Sequence, residues 1–113
     1  MNPVFKITCL VALSVLPFLS NASASVQAAS NFKTLCVACH GELGHGDGPA
    51  GAALAEKPSN IYQGLNSWFE SRDELIDTVL KGNEEMPAWG AMLSPQQVEE
   101  IFVYIETIND PKN

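Results

Sequence analysis

The stretch Cys36-Val37-Ala38-Cys39-His40 constrains the fold of this chain more tightly than any other. Two thiols three residues apart cannot staple a domain, because a disulfide between them closes too small a loop to remove much chain entropy. Phe32, Leu35, Cys36 and Cys39 recur at i, i+3, i+4 and i+7. That spacing predicts a helix with both thiols on one apolar face, N-capped at Ser30 or Asn31.

The N-terminus sets the size of the domain. Met1–Lys6 carry one positive charge, Ile7–Leu19 form an apolar run of 13 residues, and an Ala- and Ser-rich stretch follows. This is the layout of a secretory signal peptide spanning residues 1–24, with cleavage after Ala24 or as late as Ala28. As a membrane anchor the run is too short, since about 20 apolar residues are needed to cross a bilayer and Pro17 interrupts it. Cys9 lies too early in the run to be a lipidation site and reads as apolar filler. The expected domain, residues 25–113, is near the lower size limit for a stable single core, so it needs support from whatever Cys36 and Cys39 hold. It keeps all 13 acidic residues against Lys33, Lys57, Arg72, Lys81 and Lys112, a formal charge of −8 (5 − 13). Such a surface disfavours nucleic acid and anionic lipid. It serves either solubility or docking to a basic partner.

Helices and loops account for the rest of the chain. Gly41–Asn60, with five glycines from Gly41 to Gly51 and prolines at 49 and 58, predicts a long irregular loop. Loops of this length are functional or are ordered by something they pack against. A short helix is expected near Ile61, and Tyr62, Trp68 and Phe69 read as core. Ser71 and Glu74 form a capping box, Leu75, Ile76, Val79 and Leu80 line one helical face, and Gly82 ends that helix. A second loop holds Met86-Pro87-Ala88-Trp89-Gly90. The final helix is signalled by Ser94 as N-cap, Pro95, Gln97 and a Leu93–Val98 staple, followed by Val98, Ile101, Phe102, Ile105 and Ile108 on one face. No internal repeat is present.

Cys-x-x-Cys-His is the spacing of c-type haem attachment, in which both thiols form thioethers and the histidine ligates iron. A thioredoxin-like pair would call for a βαβ context, and a structural zinc site for a fourth ligand, where His45 is the only other histidine. His45 itself reads as a solvated loop residue.

From about Asn31 to Ile108 the chain resembles the class I cytochrome c family, on the attachment motif combined with Met86-Pro87-Ala88-Trp89-Gly90 before a capped amphipathic helix. Gly44-His45-Gly46-Asp47-Gly48-Pro49, Leu54 and Lys57-Pro58-Ser59-Asn60 also look like a subgroup of short bacterial members. The resemblance implies an all-α fold of three to five helices wrapped around one haem c, covalently bound through Cys36 and Cys39, with His40 and Met86 as axial ligands. It also implies that a loop proline carbonyl, at Pro49 or alternatively Pro58, accepts the second ring N–H of His40. Trp89 would either donate its indole N–H to a haem propionate or pack on the haem edge.

The function so implied is electron transfer by a periplasmic carrier in a Gram-negative bacterium. Its partners are redox proteins or membrane respiratory complexes, with no nucleic acid, small-molecule substrate, catalytic residue or stable membrane insertion. Two alternatives differ in kind. A fixed subunit of a dehydrogenase or oxidase complex would show an apolar face outside the haem crevice. A five-coordinate sensor or peroxidase-like enzyme would need a distal histidine or arginine, and the Met86 loop offers only Asn83, Glu84 and Glu85.

Overall fold

A computed structural model describes residues 20–113, together with Ala12. The charged start, most of the apolar run and Cys9 therefore lie outside the described residues. The described part contains five α-helices: α1 (Ser20–Leu35), α2 (Val37–His40), α3 (Ile61–Leu65), α4 (Arg72–Lys81) and α5 (Pro95–Asn109). A 3-10 turn covers Pro49–Ala53. No strand occurs among these residues, only an isolated bridge between Asn83 and Met86. This is the all-α fold expected.

The core is built where α1 crosses α5. Ala28 and Phe32 of α1 are buried with Leu93, Val98, Ile101, Phe102 and Ile105, and the Phe32 and Tyr104 rings lie 5.8 Å apart. Helix α1 does not begin at Ser30 or Asn31 as the sequence suggested. The Asn31 side chain accepts from Gln27 Nε2 at 2.9 Å instead of capping, and the Ala-rich segment before it continues the helix so that Ala28 packs into the core. Both candidate cleavage sites fall within this helix. Among the described residues no helix is long and apolar enough to cross a membrane.

Both predicted capping boxes form. Ser71 accepts from the Glu74 N–H at 3.2 Å while the Glu74 carboxylate accepts from Ser71 N–H at 3.0 Å, and Ser94 with Gln97 repeats the arrangement on α5. The apolar side of α4, Leu75, Ile76, Val79 and Leu80, packs against the same core. Arg72 locks the two helices together at the start of α4. Its Nε donates to Glu99 at 2.8 Å and its two terminal nitrogens donate to Glu106 at 2.9 and 3.0 Å, over the face of Phe102.

Three expectations about loop residues are corrected. His45 is half-buried, with Nε2 2.6 Å from Asn109 Oδ1, because Asn109 spends its amide N–H groups on the carbonyls of Leu43 and Ile105 and leaves its oxygen free to accept. Trp68 and Phe69 are not core: they are 93% and 70% exposed, on the connection between α3 and α4. That connection runs between the caps Asn66 and Ser71, outside the packing to which α3 and α4 contribute Leu65 and Leu75.

Candidate functional site

Helix α1 ends one residue before the attachment motif and α2 is a single turn that carries it. Cys36 N–H still bonds back to Phe32 at 3.0 Å, and His40 N–H closes the new turn on the Cys36 carbonyl at 2.8 Å. Beyond His40 the chain doubles back over this turn. Gly46 N–H donates to the His40 carbonyl at 2.8 Å and Gly48 N–H to the Cys39 carbonyl at 3.1 Å, so the last carbonyls of α2 are satisfied by its own loop. The approach is close enough to demand glycine at position 48, where a Cβ would lie 2.5 Å from the Ala38 carbonyl oxygen.

His40 is buried, and its Nδ1 lies 2.9 Å from the Ser59 carbonyl oxygen. A carbonyl only accepts, so Nδ1 carries the proton and Nε2 keeps a free lone pair. The expectation of a proline carbonyl is therefore corrected. Pro49 starts the 3-10 turn and Pro58 stands one residue short, where its rigid ring sets up the extended segment that aims Ser59 at the imidazole. A backbone acceptor carries no side-chain signature, which is why sequence reasoning missed Ser59.

The second wall comes from the loop after α4. Asn83 and Met86 exchange backbone bonds at 3.2 and 2.7 Å around a tight turn, and Trp89 and Gly90 N–H groups donate to the Val79 and Leu80 carbonyls, each at 3.0 Å. The loop is thus closed on itself before Pro87 and pinned to the last turn of α4 after it. Met86 and Trp89 are half-buried. Met92, by contrast, is 64% exposed, and the staple at the start of α5 pairs buried Leu93 with buried Val98.

Between these walls lies a cleft of about 1020 Å³, its open mouth included. Cys36, Cys39, His40, Leu35, Leu54, Pro58 and Ser59 border it on one side, and Thr78, Asn83, Met86, Pro87 and Trp89 on the other. Glu56, Lys57, Glu84 and Glu85 also border it, and Glu56 N–H reaches the Glu85 carboxylate at 3.3 Å. Pro49 does not border it. The donor set fits a haem c: two free thiols, an imidazole whose Nε2 keeps its lone pair, and a thioether share one largely apolar space. Neither rival reading of the cysteines fits. Burial, with a smaller effect of Cys39 nearby, pushes the Cys36 thiol up to about 11, the opposite of an activated dithiol. Among the described residues no group of three or more His, Cys, Asp or Glu side chains is placed as a zinc site requires.

The same residues frame the comparison with known proteins. Residues 24–105 match the family described as Cytochrome C oxidase, cbb3-type, subunit III. The chain belongs to this family. Its cytochrome c domain binds haem c covalently and transfers electrons. Among relatives of the subunit III family, the chain is 30% identical over 86 residues to the Cbb3-type cytochrome c oxidase subunit FixP of Azorhizobium caulinodans, covering 75% of this chain and 27% of that protein. It is 34% identical over 80 residues to the FixP subunit of Bradyrhizobium diazoefficiens, covering 68% and 25% respectively. The chain therefore spans about a quarter of the length of the curated relatives it matches. No solved structure matches the chain significantly.

Proposed function

We propose that this chain is a periplasmic haem c module that passes single electrons to a membrane respiratory oxidase of the cbb3 type, held there as a fixed subunit. The observation that carries the electron-transfer reading is the convergence of Cys36, Cys39, His40 and Met86 on one cleft. Cys36 and Cys39 would tether the haem, and His40 and Met86 would ligate its iron. When bound, the haem supplies a one-electron couple at iron, raised in potential by a thioether ligand relative to two imidazoles.

The protein's own part is to hold that couple steady. Ser59 fixes the His40 tautomer and ring plane, as an outer partner of a metal-bound histidine does. The bonds of Trp89 and Gly90 to α4 keep Met86 at its post in either oxidation state. Trp89, half-buried on the cleft wall, would offer its indole N–H to a propionate. A sensor or peroxidase-like role gains no support, because the one arginine, Arg72, is engaged by Glu99 and Glu106 away from the cleft.

The fixed-subunit reading rests on the relatives, which are cbb3-type oxidase subunits, and on exposed aromatic surface outside the cleft. A second reading, a diffusing carrier, is favoured by the −8 charge of residues 25–113. Reduced holoprotein mixed with a purified cbb3-type oxidase core separates the two. A fixed subunit co-elutes with the core at high salt. A carrier elutes alone and delivers electrons at a rate that falls as salt screens charges beyond about 10 Å at 0.1 M. Absence of electron delivery at any salt would remove the oxidase assignment.

A further inference from the structure

We propose that Trp68 and Phe69 are the anchor by which this domain docks on a partner protein, in an apolar pocket rimmed by lysine or arginine side chains. The inference deepens the fixed-subunit reading and rests on it. Trp68 is 93% exposed and Phe69 70% exposed, a large apolar area for two adjacent residues of a small domain to leave in water. The pair is ordered before any partner arrives: the rings stand edge to face, 5.6 Å apart at 86°. The connection that carries them is tied at both ends. Asn66 and Ser67 N–H groups bond back to Gln63 and Gly64 of α3 at 3.2 and 3.0 Å, and Ser71 is fastened by the capping box of α4. A rigid aromatic projection is what interface hot spots are made of, because little side-chain entropy is lost on docking.

Charge decides the kind of partner. The aromatics are followed by Glu70 and Asp73, both exposed carboxylates, on a domain that is strongly acidic throughout. A basic rim complements them, whereas an anionic bilayer repels them. None of residues 66–70 borders the cleft, so docking here leaves the electron-transfer face free. That separation suits a subunit that stays bound through many turnovers.

The test uses the haem-loaded chain and a purified cbb3-type oxidase core in detergent. Trp68→Ala and Phe69→Ala, singly and together, are compared with Val103→Ser, a 50% exposed aliphatic position on α5. The aromatic variants should weaken binding at least about tenfold, as hot-spot truncations do, while their absorption spectrum and midpoint potential match wild type; Val103→Ser should bind normally. Wild-type binding that the aromatic variants do not change overturns the inference and leaves the oxidase reading standing. A wild type that neither binds the core nor delivers electrons to it overturns both. Binding of wild type to phosphatidylcholine vesicles, lost in the double variant, places lipid rather than protein under the pair and also overturns it.

Discussion

The imidazole of His40 and the main-chain carbonyl of Ser59, nineteen residues apart in sequence, meet at 2.9 Å. Through this bond the long glycine-rich loop selects the histidine tautomer that leaves Nε2 free for iron. Gly46 guards the approach. It sits at φ +80°, and a Cβ there would lie 2.5 Å from the Pro58 carbonyl oxygen and 3.0 Å from that of Ser59. Gly46→Ala should therefore cost about 1–3 kcal/mol of stability and shift the midpoint potential, whereas Ser59→Ala, which keeps the carbonyl, should change neither. Denaturant unfolding and potentiometry of the two holoproteins decide the matter.

Met86 and Met92 should behave oppositely. Met86→Ala should abolish the weak red sulfur-to-iron band of the ferric protein, lower its potential and admit carbon monoxide to the ferrous form. Met92→Ala removes an exposed side chain, so the band should persist and stability should change by no more than about 0.5 kcal/mol. A wild type without the band that binds carbon monoxide readily would dismiss Met86 as ligand.

Arg72, its side chain 34% exposed, joins α4 to α5 through the carboxylates of Glu99 and Glu106, 40% and 37% exposed. Part of the Coulomb energy is screened by water, so Arg72→Ala should cost about 1 kcal/mol or slightly more, below the 3–5 kcal/mol typical of a broken buried pair. Arg72→Lys should not restore it, because an ammonium cannot pair with both carboxylates through a rigid fork. Urea unfolding of the three proteins at low and high salt measures the difference.

Acid should loosen the start of α4. Hydrogen bonds from the Ser71 backbone and side chain hold the Glu74 carboxyl below the usual carboxylate range. A pKa lowered on folding adds stability above the unfolded-state value, and that stability is lost as pH falls through the lowered one. The gap in unfolding midpoint between wild type and Glu74→Ala should accordingly narrow as pH drops below the ordinary glutamate range. A gap constant with pH would assign the box's effect to neutral hydrogen bonding alone.

The mature protein should begin at Ser25. Cleavage after Ala28 would strip a core residue, 2% exposed, from the contact between α1 and α5. The intact mass of the protein recovered from the periplasm tests this directly.

Much of the site was legible because it is written in local grammar. Both capping boxes, the Gly82 stop and the α5 face are encoded by residues within a turn or two of each other, and each formed where its spacing indicated. What escaped depends on partners distant in sequence. Ser59 acts through its backbone, His45 finds Asn109 only once α5 is in place, and the start of α1 was misjudged because Asn31 bonds to Gln27 along the helix. Trp68 and Phe69 escaped for another reason: hydrophobicity predicts burial, and here both rings stand exposed on a connection between two helix caps.

The two walls of the cleft differ in how far the chain must travel to build them. Cys36, Cys39 and His40 belong to one short segment, whereas Met86 lies 46 residues beyond His40. On the proposed tether at Cys36 and Cys39, attachment would be a local act, and the covalent bonds it makes would persist when the fold is lost. On the proposed ligand set, the denatured ensemble would keep the haem tethered beside His40, and refolding would be a unimolecular search for Met86 across a single loop closure. Recovery of the native spectrum after dilution from denaturant should be independent of protein concentration and need no added haem.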